Sequence, residues 1–417
     1  MINRKQIAII GGGAAGLMCA ASILEHHPDM EVQLFERNPY LGAKVIISGG
    51  GRCNVTTGIT DRKILLSKYT RGASFLKYTL AQFPPEKVMA WFENRGVRLK
   101  VEGDQRVFPV SDNGRDVVGA FEKLFQNDKV TVHLNESVKS ILPTGKNGFK
   151  LLSNKRENEF DAVVITTGGN AYSHTGSTGD GYSFAAACGH KITPLGPSLN
   201  SFLTAEEWPK KLSGVSLQNC QLEGLGADGE KKQIEGPLLF THFGISGPAT
   251  FALSSHLAFT PISKDSQLKI KLIPIADRGF EQWDKLIREM LEENGARQIH
   301  NVLGHFLPQR FADTIVEMAG LQLEKKAAEV SKSGRKEIIR LLTGGLELTL
   351  VQRRPGDEFV TAGGVSLEEV DSKTMRSKLN PRLYFAGEVL DVDGLTGGFN
   401  LQASWATGWL AGKNMEK

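Results

Sequence analysis

The chain has 417 residues, of which 40% are hydrophobic, and its 50 basic and 46 acidic residues give a formal net charge of +4. Charges of both signs are interleaved and no basic arm is present, so a nucleic-acid partner is not favoured. The longest apolar runs have the length of strands and fall short of the roughly 20 residues that a membrane helix needs. We therefore expect no membrane span.

The start of the sequence and the cysteines indicate the compartment. Arg4 and Lys5 lead directly into a strand, without the apolar stretch of a signal peptide. The four cysteines are widely spaced and form no C-x-x-C pair, which favours neither disulfides nor a zinc site. Asp391 and Asp393 lack the later acidic ligand of a calcium loop. The sequence thus predicts a cytoplasmic protein without a bound metal.

The N-terminal segment has the pattern of a βαβ unit with a glycine turn. Gly11, Gly13 and Gly16 form G-x-G-x-x-G where a strand ends and a helix begins. In a dinucleotide site the first glycine permits the tight turn, the second admits a pyrophosphate, and the third allows close helix packing. Glu36 ends the next strand, where its carboxylate can bind a ribose diol. The predicted strand, helix and strand cover residues 6–10, 14–26 and 31–36.

Further along the chain the hydrophobic period changes three times. Strands are predicted at 130–134 and at 161–169, the second ending in another glycine turn. From about residue 198, period-two patterns without intervening helices indicate an antiparallel sheet or small barrel. Residues 280–343 have a helical period, and strand patterns return after about residue 346. The chain ends in a buried strand, a glycine-rich turn and a helix.

The second G-x-G-x-x-G pattern, Gly224, Gly226 and Gly229, does not indicate a second nucleotide site. It follows a strand, but Asp228-Gly229 lies at its centre and no helix comes after it, which predicts a β-hairpin turn. A separate polar, glycine-rich segment does occur near the C-terminus, at Gly387-Glu388 and around Gly398. A flavin dinucleotide needs two such ends, one for its ADP half and one for its ribityl chain and ring. The pairing favours FAD over NAD alone.

Six glycine-rich blocks resemble those of the BaiN/YhiN-type bacterial NAD(P)/FAD-dependent oxidoreductases, from the N-terminus to the last helix. The blocks are IIGGGAAGLMCA, KVIISGGGRCNVTTG, TTGGNAYSHTGSTGDGY, LLFTHFGISGPA, TAGGVSLEEVDSKTMRSKL and LYFAGEVLDVDGLTGGFNLQASWATG. The resemblance implies an α/β fold with a split Rossmann-type FAD-binding domain. A substrate domain with a β-rich, barrel-like part and a helical part is inserted in it. The expected boundaries are 1–197 with 346–417, 198–275, and 276–345.

The resemblance also implies a set of FAD contacts, in which the SGGGRCN loop lies along the flavin and pyrophosphate and Val138 lies at the adenine. Together with the glycine turns, the predicted cofactor-binding residues are Gly11, Gly13, Ala14, Ala15, Gly16, Glu36, Arg37, Lys44, Gly51, Arg52, Asn54, Val138, Gly168, Gly387, Glu388, Gly398, Phe399, Asn400 and Leu401. Arg52 can instead hold an anionic substrate or pair with a neighbouring carboxylate. For Cys53, packing under the loop is favoured over a thiol-redox role, because no resolving cysteine is near in sequence.

The chemistry expected is hydride transfer through flavin N5, with a protein acid moving a proton. Tyr172 and His242 are the preferred candidates for that acid, ahead of His174 and Asp180. One family member type reduces carbon–carbon double bonds in oxo bile acids, which suggests an enone or related alkene as substrate and NADH or NADPH as transient donor. Two alternatives stay open at this point. One is a flavoprotein that modifies or binds RNA, or a non-catalytic FAD-binding module, and the other is an NAD-only dehydrogenase.

Overall fold

The computed structural model describes residues 4–126, 129–145, 148–275 and 277–416. The chain divides into two compact units. The first takes the chain up to Pro197 and again from Phe359, and the second is Ser198–Glu358. No described helix has both the length and the apolar character that crossing a membrane requires.

Strands and helices are numbered in chain order. The strands are β1 (Gln6–Ile10), β2 (Glu31–Phe35), β3 (Thr56–Thr57), β4 (Tyr69–Arg71), β5 (Leu99–Val101), β6 (Arg106–Pro109), β7 (Val130–His133), β8 (Val138–Pro143), β9 (Phe149–Ser153), β10 (Glu157–Phe160), β11 (Ala162–Ile165), β12 (Gly196–Ser198), β13 (Phe202–Thr204), β14 (Ser216–Leu225), β15 (Lys231–Thr241), β16 (Gly244–Ser246), β17 (Leu268–Ile273), β18 (Leu346–Arg353), β19 (Val360–Ala362), β20 (Leu383–Phe385) and β21 (Asp393–Gly394). The helices are α1 (Ala14–His26), α2 (Ala43–Ile47), α3 (Arg62–Ser67), α4 (Ala73–Gln82), α5 (Pro85–Glu93), α6 (Gly114–Leu124), α7 (Asp180–Ala187), α8 (Trp208–Lys211), α9 (Pro248–His256), α10 (Phe280–Glu293), α11 (Ile299–Leu303), α12 (Gln309–Met318), α13 (Lys332–Thr343) and α14 (Phe399–Lys413).

The first unit is built on a five-stranded parallel sheet in the order β20-β11-β1-β2-β7. Strands β1 and β11 carry continuous apolar runs because helices cover both faces of such a sheet, and Val163, Val164 and Ile165 are fully buried. Val163 pairs with Ala8 on one side and with Leu383 on the other. The C-terminal segment therefore returns to the sheet that the N-terminal segment begins, and the predicted Rossmann-type fold is confirmed.

Helices α1 and α14 pack with their backbones in contact. A Cβ on Gly408 would lie 2.3 Å from the Ala15 carbonyl oxygen, and one on Gly412 would lie 2.5 Å from the Cys19 carbonyl oxygen. Glycine is required at both positions because nothing larger fits between the helices. The order of these contacts shows that the two helices run parallel, so their N-termini point in the same direction.

The second unit contains a closed barrel in the order β13-β16-β15-β14-β17-β18, which confirms the barrel-like part of the predicted fold. Strands β14 and β15 form the predicted hairpin, since Leu225 pairs with Lys231 across the turn that contains Gly226 and Gly229. Apolar faces of α10 to α13 contribute buried side chains, such as Trp283 and Ile315, to the same hydrophobic core.

One expected boundary differs from the structure. We expected residues 346–417 to belong to the FAD-binding domain, but β18 pairs with β17 and β13 and closes the barrel. The chain therefore enters the first unit again only at Phe359. The alternating sequence LELTLVQR predicts a strand in either case, because its period does not specify which sheet the strand joins.

Candidate functional site

Of the three glycines in the G-x-G-x-x-G motif after β1, the protein itself requires Gly11 and Gly16 but not Gly13. Gly11 has φ +106°, and a Cβ there would lie 2.6 Å from the Thr166 carbonyl oxygen. A Cβ on Gly16 would lie 2.0 Å from the Gly11 carbonyl oxygen. Among the described residues, by contrast, no atom lies within 4 Å of the position that a Cβ on Gly13 would take. Gly13 thus leaves an opening at the N-terminus of α1, and a helix N-terminus favours the negative charge of a phosphate.

Glu36 closes this turn from the end of β2. Its side chain is buried, and it accepts hydrogen bonds from the backbone N–H groups of Gly12 and Asn38, both at 2.8 Å. Burial raises the pKa of the Glu36 carboxyl, and the two backbone donors oppose that rise. Each carboxylate oxygen keeps a lone pair beyond these bonds, so the group can still accept from a ribose hydroxyl.

The neighbouring Arg37 binds the start of α7. Its guanidinium forms an ion pair with Asp180 and donates to Thr178 Oγ1 at 2.7 Å. Asp180, one of the candidate acids, is therefore held as the ion-pair partner of an arginine.

The SGGGRCN loop carries three successive glycines with positive φ. Gly49, Gly50 and Gly51 have φ of 57°, 72° and 88°. Within the described chain, a Cβ on Gly50 or Gly51 would meet no atom within 4 Å, whereas one on Gly49 would lie 2.8 Å from the Asn54 backbone nitrogen. The backbone of this loop is therefore open to approach by a ligand, as the sequence predicts for a loop along a cofactor.

Arg52 and Asn54 connect the loop to β6 and its surroundings. The Arg52 guanidinium donates to Glu102 at 2.7 Å and lies 3.7 Å above the centre of the Phe108 ring. Asn54 Oδ1 accepts from the Val107 backbone N–H at 3.2 Å. The carboxylate pairing that we considered for Arg52 is thus present, and both side chains anchor the loop. A direct contact of either with the cofactor stays a prediction.

Cys53 lies beneath the loop and is fully buried, with φ 61°. Burial raises the pKa of its thiol to about 12, and it does the same for Cys220. Cys188 is only half-buried, and its pKa is raised to about 11. A buried thiol with a raised pKa is a poor nucleophile, which supports the packing role.

We expect iodoacetamide to leave Cys19, Cys53 and Cys220 unmodified in the folded protein at mildly alkaline pH and to modify Cys188 slowly, because little thiolate is present and three of the thiols are buried. Peptide mass spectrometry measures the modified fraction, with urea-unfolded protein as the control in which all four cysteines react. Rapid alkylation of Cys53 in the native state would contradict this account.

Lys44, Glu388 and Tyr172 come together from three distant parts of the sequence. Lys44 Nζ donates to Glu388 Oε2 at 2.8 Å, and the other Glu388 oxygen accepts from the Thr361 backbone N–H at 2.9 Å. Lys44 Nζ also lies 5.9 Å from the centre of the Tyr172 ring. Tyr172 has φ 58° and ψ 53°, a left-handed conformation that is strained for a non-glycine residue. Such strain is typical of functional positions.

The N-terminus of α14 lies next to Glu388 in the first unit. A pocket there is lined by Gly387, Glu388, Val392, Asn400, Ala403, Ser404 and Thr407. Gly398 precedes the helix with φ +90°, and a Cβ there would lie 2.2 Å from the Thr56 carbonyl oxygen. The N-cap residue is this glycine, which has no side chain to accept from the first N–H groups of the helix. These groups carry partial positive charge and suit a ligand that is or becomes anionic.

Sequence reasoning found part of this pocket and missed the rest. Val392, Ala403, Ser404 and Thr407 were not predicted, although Asn400, Ala403, Ser404 and Thr407 follow the i, i+3, i+4, i+7 spacing of one helix face. That spacing was a usable signal, because small and polar residues on a mostly buried helix leave room for a ligand.

The remaining predicted residues lie in several places. Gly168 follows β11 with φ +73°, and buried Val138 begins β8, in a separate three-stranded sheet. His174 is exposed, with its ring edge against Tyr172. His242 belongs to the second unit, where it is exposed in the tight β15–β16 turn with its ring against Phe243. Its role as an acid stays a prediction.

The parallel sheet, the glycine turn with its buried carboxylate and the second open helix N-terminus define a Rossmann-type FAD-binding oxidoreductase. The chain belongs to the family described as HI0933-like protein Rossmann domain, whose model matches residues 5–414. This confirms the BaiN/YhiN-type resemblance. It also supports the expectation of an FAD-dependent oxidoreductase.

Two relatives match over nearly their whole length. The chain is 28% identical over 410 residues to the 3-dehydro-bile acid delta(4,6)-reductase of Clostridium scindens, covering 98% of each chain. It is 27% identical over 421 residues to the ribosomal RNA dihydrouridine synthase of Escherichia coli, covering 99% of this chain and 98% of the relative. Among solved structures, the quinol fumarate reductase FrdA of E. coli matches with a TM-score of 0.50 and 15% identity, over 98% of this chain and 69% of that one. The last comparison shows the fold alone.

Proposed function

We propose that the protein reduces a carbon–carbon double bond conjugated to a carbonyl group, with electrons that NADH or NADPH delivers to its FAD. The observation that carries this proposal is the match to two relatives over nearly their whole length. The names of both refer to saturation of the same type of bond. A 3-dehydro bile acid with delta(4,6) unsaturation has double bonds conjugated to its 3-oxo group. Dihydrouridine is uridine whose C5–C6 bond, conjugated to the C4 carbonyl, has been saturated. The acceptor chemistry is the same in both.

The residues at the glycine turn after β1 and at the N-terminus of α14 fit FAD. When bound, FAD supplies the hydride. The open backbone at Gly13 admits a pyrophosphate, and the Glu36 carboxylate accepts from a ribose. Lys44 and Glu388 offer a donor and an acceptor to a polyhydroxylated chain, and the first turn of α14 stabilises negative charge. We propose as contacts Gly11, Gly13, Ala14, Ala15, Gly16, Glu36, Arg37, Lys44, Gly51, Arg52, Asn54, Val138, Gly168, Gly387, Glu388, Gly398, Phe399, Asn400 and Leu401.

Tyr172 is the proposed proton donor. Saturating an enone adds a hydride at the β-carbon and a proton at the α-carbon, so the phenol proton would pass to the α-carbon and leave a phenolate. The ammonium of Lys44 lies 5.9 Å from the ring centre, so the proposed donor lies beside the Lys44–Glu388 pair. The strained backbone of Tyr172 supports the assignment, because the energy cost of such a conformation is retained mainly at functional sites.

Replacing Tyr172 with phenylalanine should slow acceptor reduction about 100-fold, the usual effect of removing a general acid. The rate at which NADH or NADPH bleaches the flavin should stay unchanged, because that half-reaction needs no proton from the protein. Anaerobic stopped-flow measurement separates the two steps. Tyr78→Phe, at an exposed tyrosine, is the matched control. Equal rates for Tyr172→Phe and wild type in both half-reactions would exclude Tyr172 as the donor.

Uridine in ribosomal RNA is the second candidate acceptor. The similarity of the chain to the ribosomal RNA dihydrouridine synthases of two organisms, E. coli and Haemophilus influenzae, favours it. The interleaving of acidic and basic residues along the sequence favours a small molecule instead. A direct comparison decides between them. The reduced protein is offered a conjugated 3-oxo bile acid in one reaction and RNA from a strain that lacks this protein in another, and mass spectrometry detects the saturated product. Failure to reduce either acceptor would overturn the proposed reaction.

A further inference from the structure

The first turn of α14 is held in place by two side chains of β4, a short strand that is remote in sequence. The Tyr69 hydroxyl donates to the carbonyl oxygen of Phe399, the first residue of the helix, at 2.9 Å. Tyr69 is buried, and its ring lies edge-on to that of Phe399 with the centres 6.3 Å apart. The tyrosine therefore fixes both the backbone and the side chain at which the helix begins.

Arg71, two residues further along β4, binds the segment that leads into the helix. Its guanidinium forms a two-pronged ion pair with Asp393, whose side chain is fully buried. Strand β21, which contains Asp393, pairs with β4. The side chain of Asn400 then exchanges hydrogen bonds with the N–H and C=O of Gly394, at 2.9 and 2.8 Å. We call Tyr69 and Arg71 together the β4 clamp.

The position of this helix end matters for a cofactor because the effect of a helix dipole is confined to its first turn. The uncapped N–H groups there act as fixed partial charges, and a shift of their position changes the energy of a nearby anionic ring. A two-electron reduced flavin carries more negative charge than the oxidised form. Whatever fixes the first turn therefore also influences how readily the ring accepts electrons.

We propose that Tyr69 and Arg71 are positioning residues that hold the first turn of α14 at the flavin and thereby raise the reduction potential of the bound FAD. The inference deepens the proposed function and rests on its placement of the flavin ring at this helix end. Tyr69 contacts Phe399 and Arg71 contacts Asp393, and neither contact involves Tyr172, the proposed proton donor, so the effect of the clamp can be measured separately from catalysis.

Tyr69→Phe tests the clamp with the smallest change, because it removes only the hydroxyl that reaches the helix. Sulfite is the probe, since it adds reversibly to oxidised flavin, bleaches the visible absorbance and leaves negative charge on the ring. We expect sulfite binding to weaken about tenfold. The midpoint potential, measured against a reference dye, should fall correspondingly, by about 30 mV per tenfold change for a two-electron couple.

A matched control lies at the other end of the same helix. Tyr384 is buried, and its hydroxyl donates to the carbonyl oxygen of Asn414, just beyond the last residue of α14, at 3.4 Å. Tyr384→Phe therefore removes the same atom far from the first turn and should leave sulfite affinity and potential at the wild-type values. Equal losses in both variants, or no loss in Tyr69→Phe, would overturn the proposal.

Arg71→Lys provides a second variant in case Tyr69→Phe alters the fold, because lysine keeps the charge and loses the two-pronged geometry. It should also lower the potential while FAD remains bound, and an unchanged potential in a folded, flavin-loaded Arg71→Lys variant would count against the clamp. A wild-type protein that binds FAD and sulfite but reduces no conjugated acceptor would refute the proposed function and leave the clamp standing.

Discussion

Replacing Gly13 with alanine is expected to weaken FAD binding about 10- to 100-fold and to change the stability of the cofactor-free protein by less than about 1 kcal/mol. The described protein offers nothing for a Cβ at Gly13 to collide with, and its φ of −83° suits any residue. The added methyl group should therefore weaken cofactor binding and leave the fold of the cofactor-free protein unchanged. Fluorescence titration with FAD gives the affinity, and urea unfolding of the cofactor-free protein gives the stability.

Two further glycine variants serve as controls for Gly13→Ala. Gly119→Ala, in the middle of α6, also places its Cβ where no described atom lies within 4 Å, and it should leave FAD affinity unchanged. Gly11→Ala should instead damage the fold itself, since φ of +106° and the Thr166 carbonyl oxygen both oppose a side chain. Wild-type FAD affinity in Gly13→Ala would show that no phosphate approaches this turn.

Replacing Arg71 with methionine should lower the free energy of unfolding by about 3–5 kcal/mol. The change leaves the Asp393 carboxylate fully buried without the guanidinium that lies against both of its oxygens. A carboxylate buried in this way must either stay charged in a poor solvent or take up a proton, and both cost free energy. Urea unfolding of cofactor-free protein, followed by tryptophan fluorescence, provides the measurement.

The control for this prediction is an ion pair of the same chemistry at the surface. Arg4 lies 3.2 Å from Glu31, and their side chains are 46% and 36% exposed. Arg4→Met should cost no more than about 1 kcal/mol, because water screens the pair. Similar losses for Arg4→Met and Arg71→Met would mean that burial of Asp393 does not set the energy of its ion pair.

Local sequence patterns predicted the N-terminal unit well because its determinants are close together. The βαβ pattern placed the first helix over residues 14–26, and the structure has α1 at Ala14–His26. The hairpin interpretation of Gly224, Gly226 and Gly229 was confirmed for the same reason, since the turn and both strands lie within one short segment.

Local sequence patterns could not predict contacts between segments that are distant in sequence. Lys44 and Glu388 are 344 positions apart, and nothing in either neighbourhood indicates that the two side chains meet. The choice of β18 for the barrel likewise depends on strand pairing, which the alternating pattern leaves unspecified. Only family resemblance suggested Lys44 as a site residue, and no signal from the sequence pointed to the contact of Tyr69 with α14.

The intimate contact of α1 with α14 has a consequence for biosynthesis. The first helix leaves the ribosome long before α14, which packs against it through Gly408 and Gly412. The barrel, whose strands all come from Ser198–Glu358, can assemble during translation. The contact between α1 and α14, by contrast, cannot form until α14 has been synthesised.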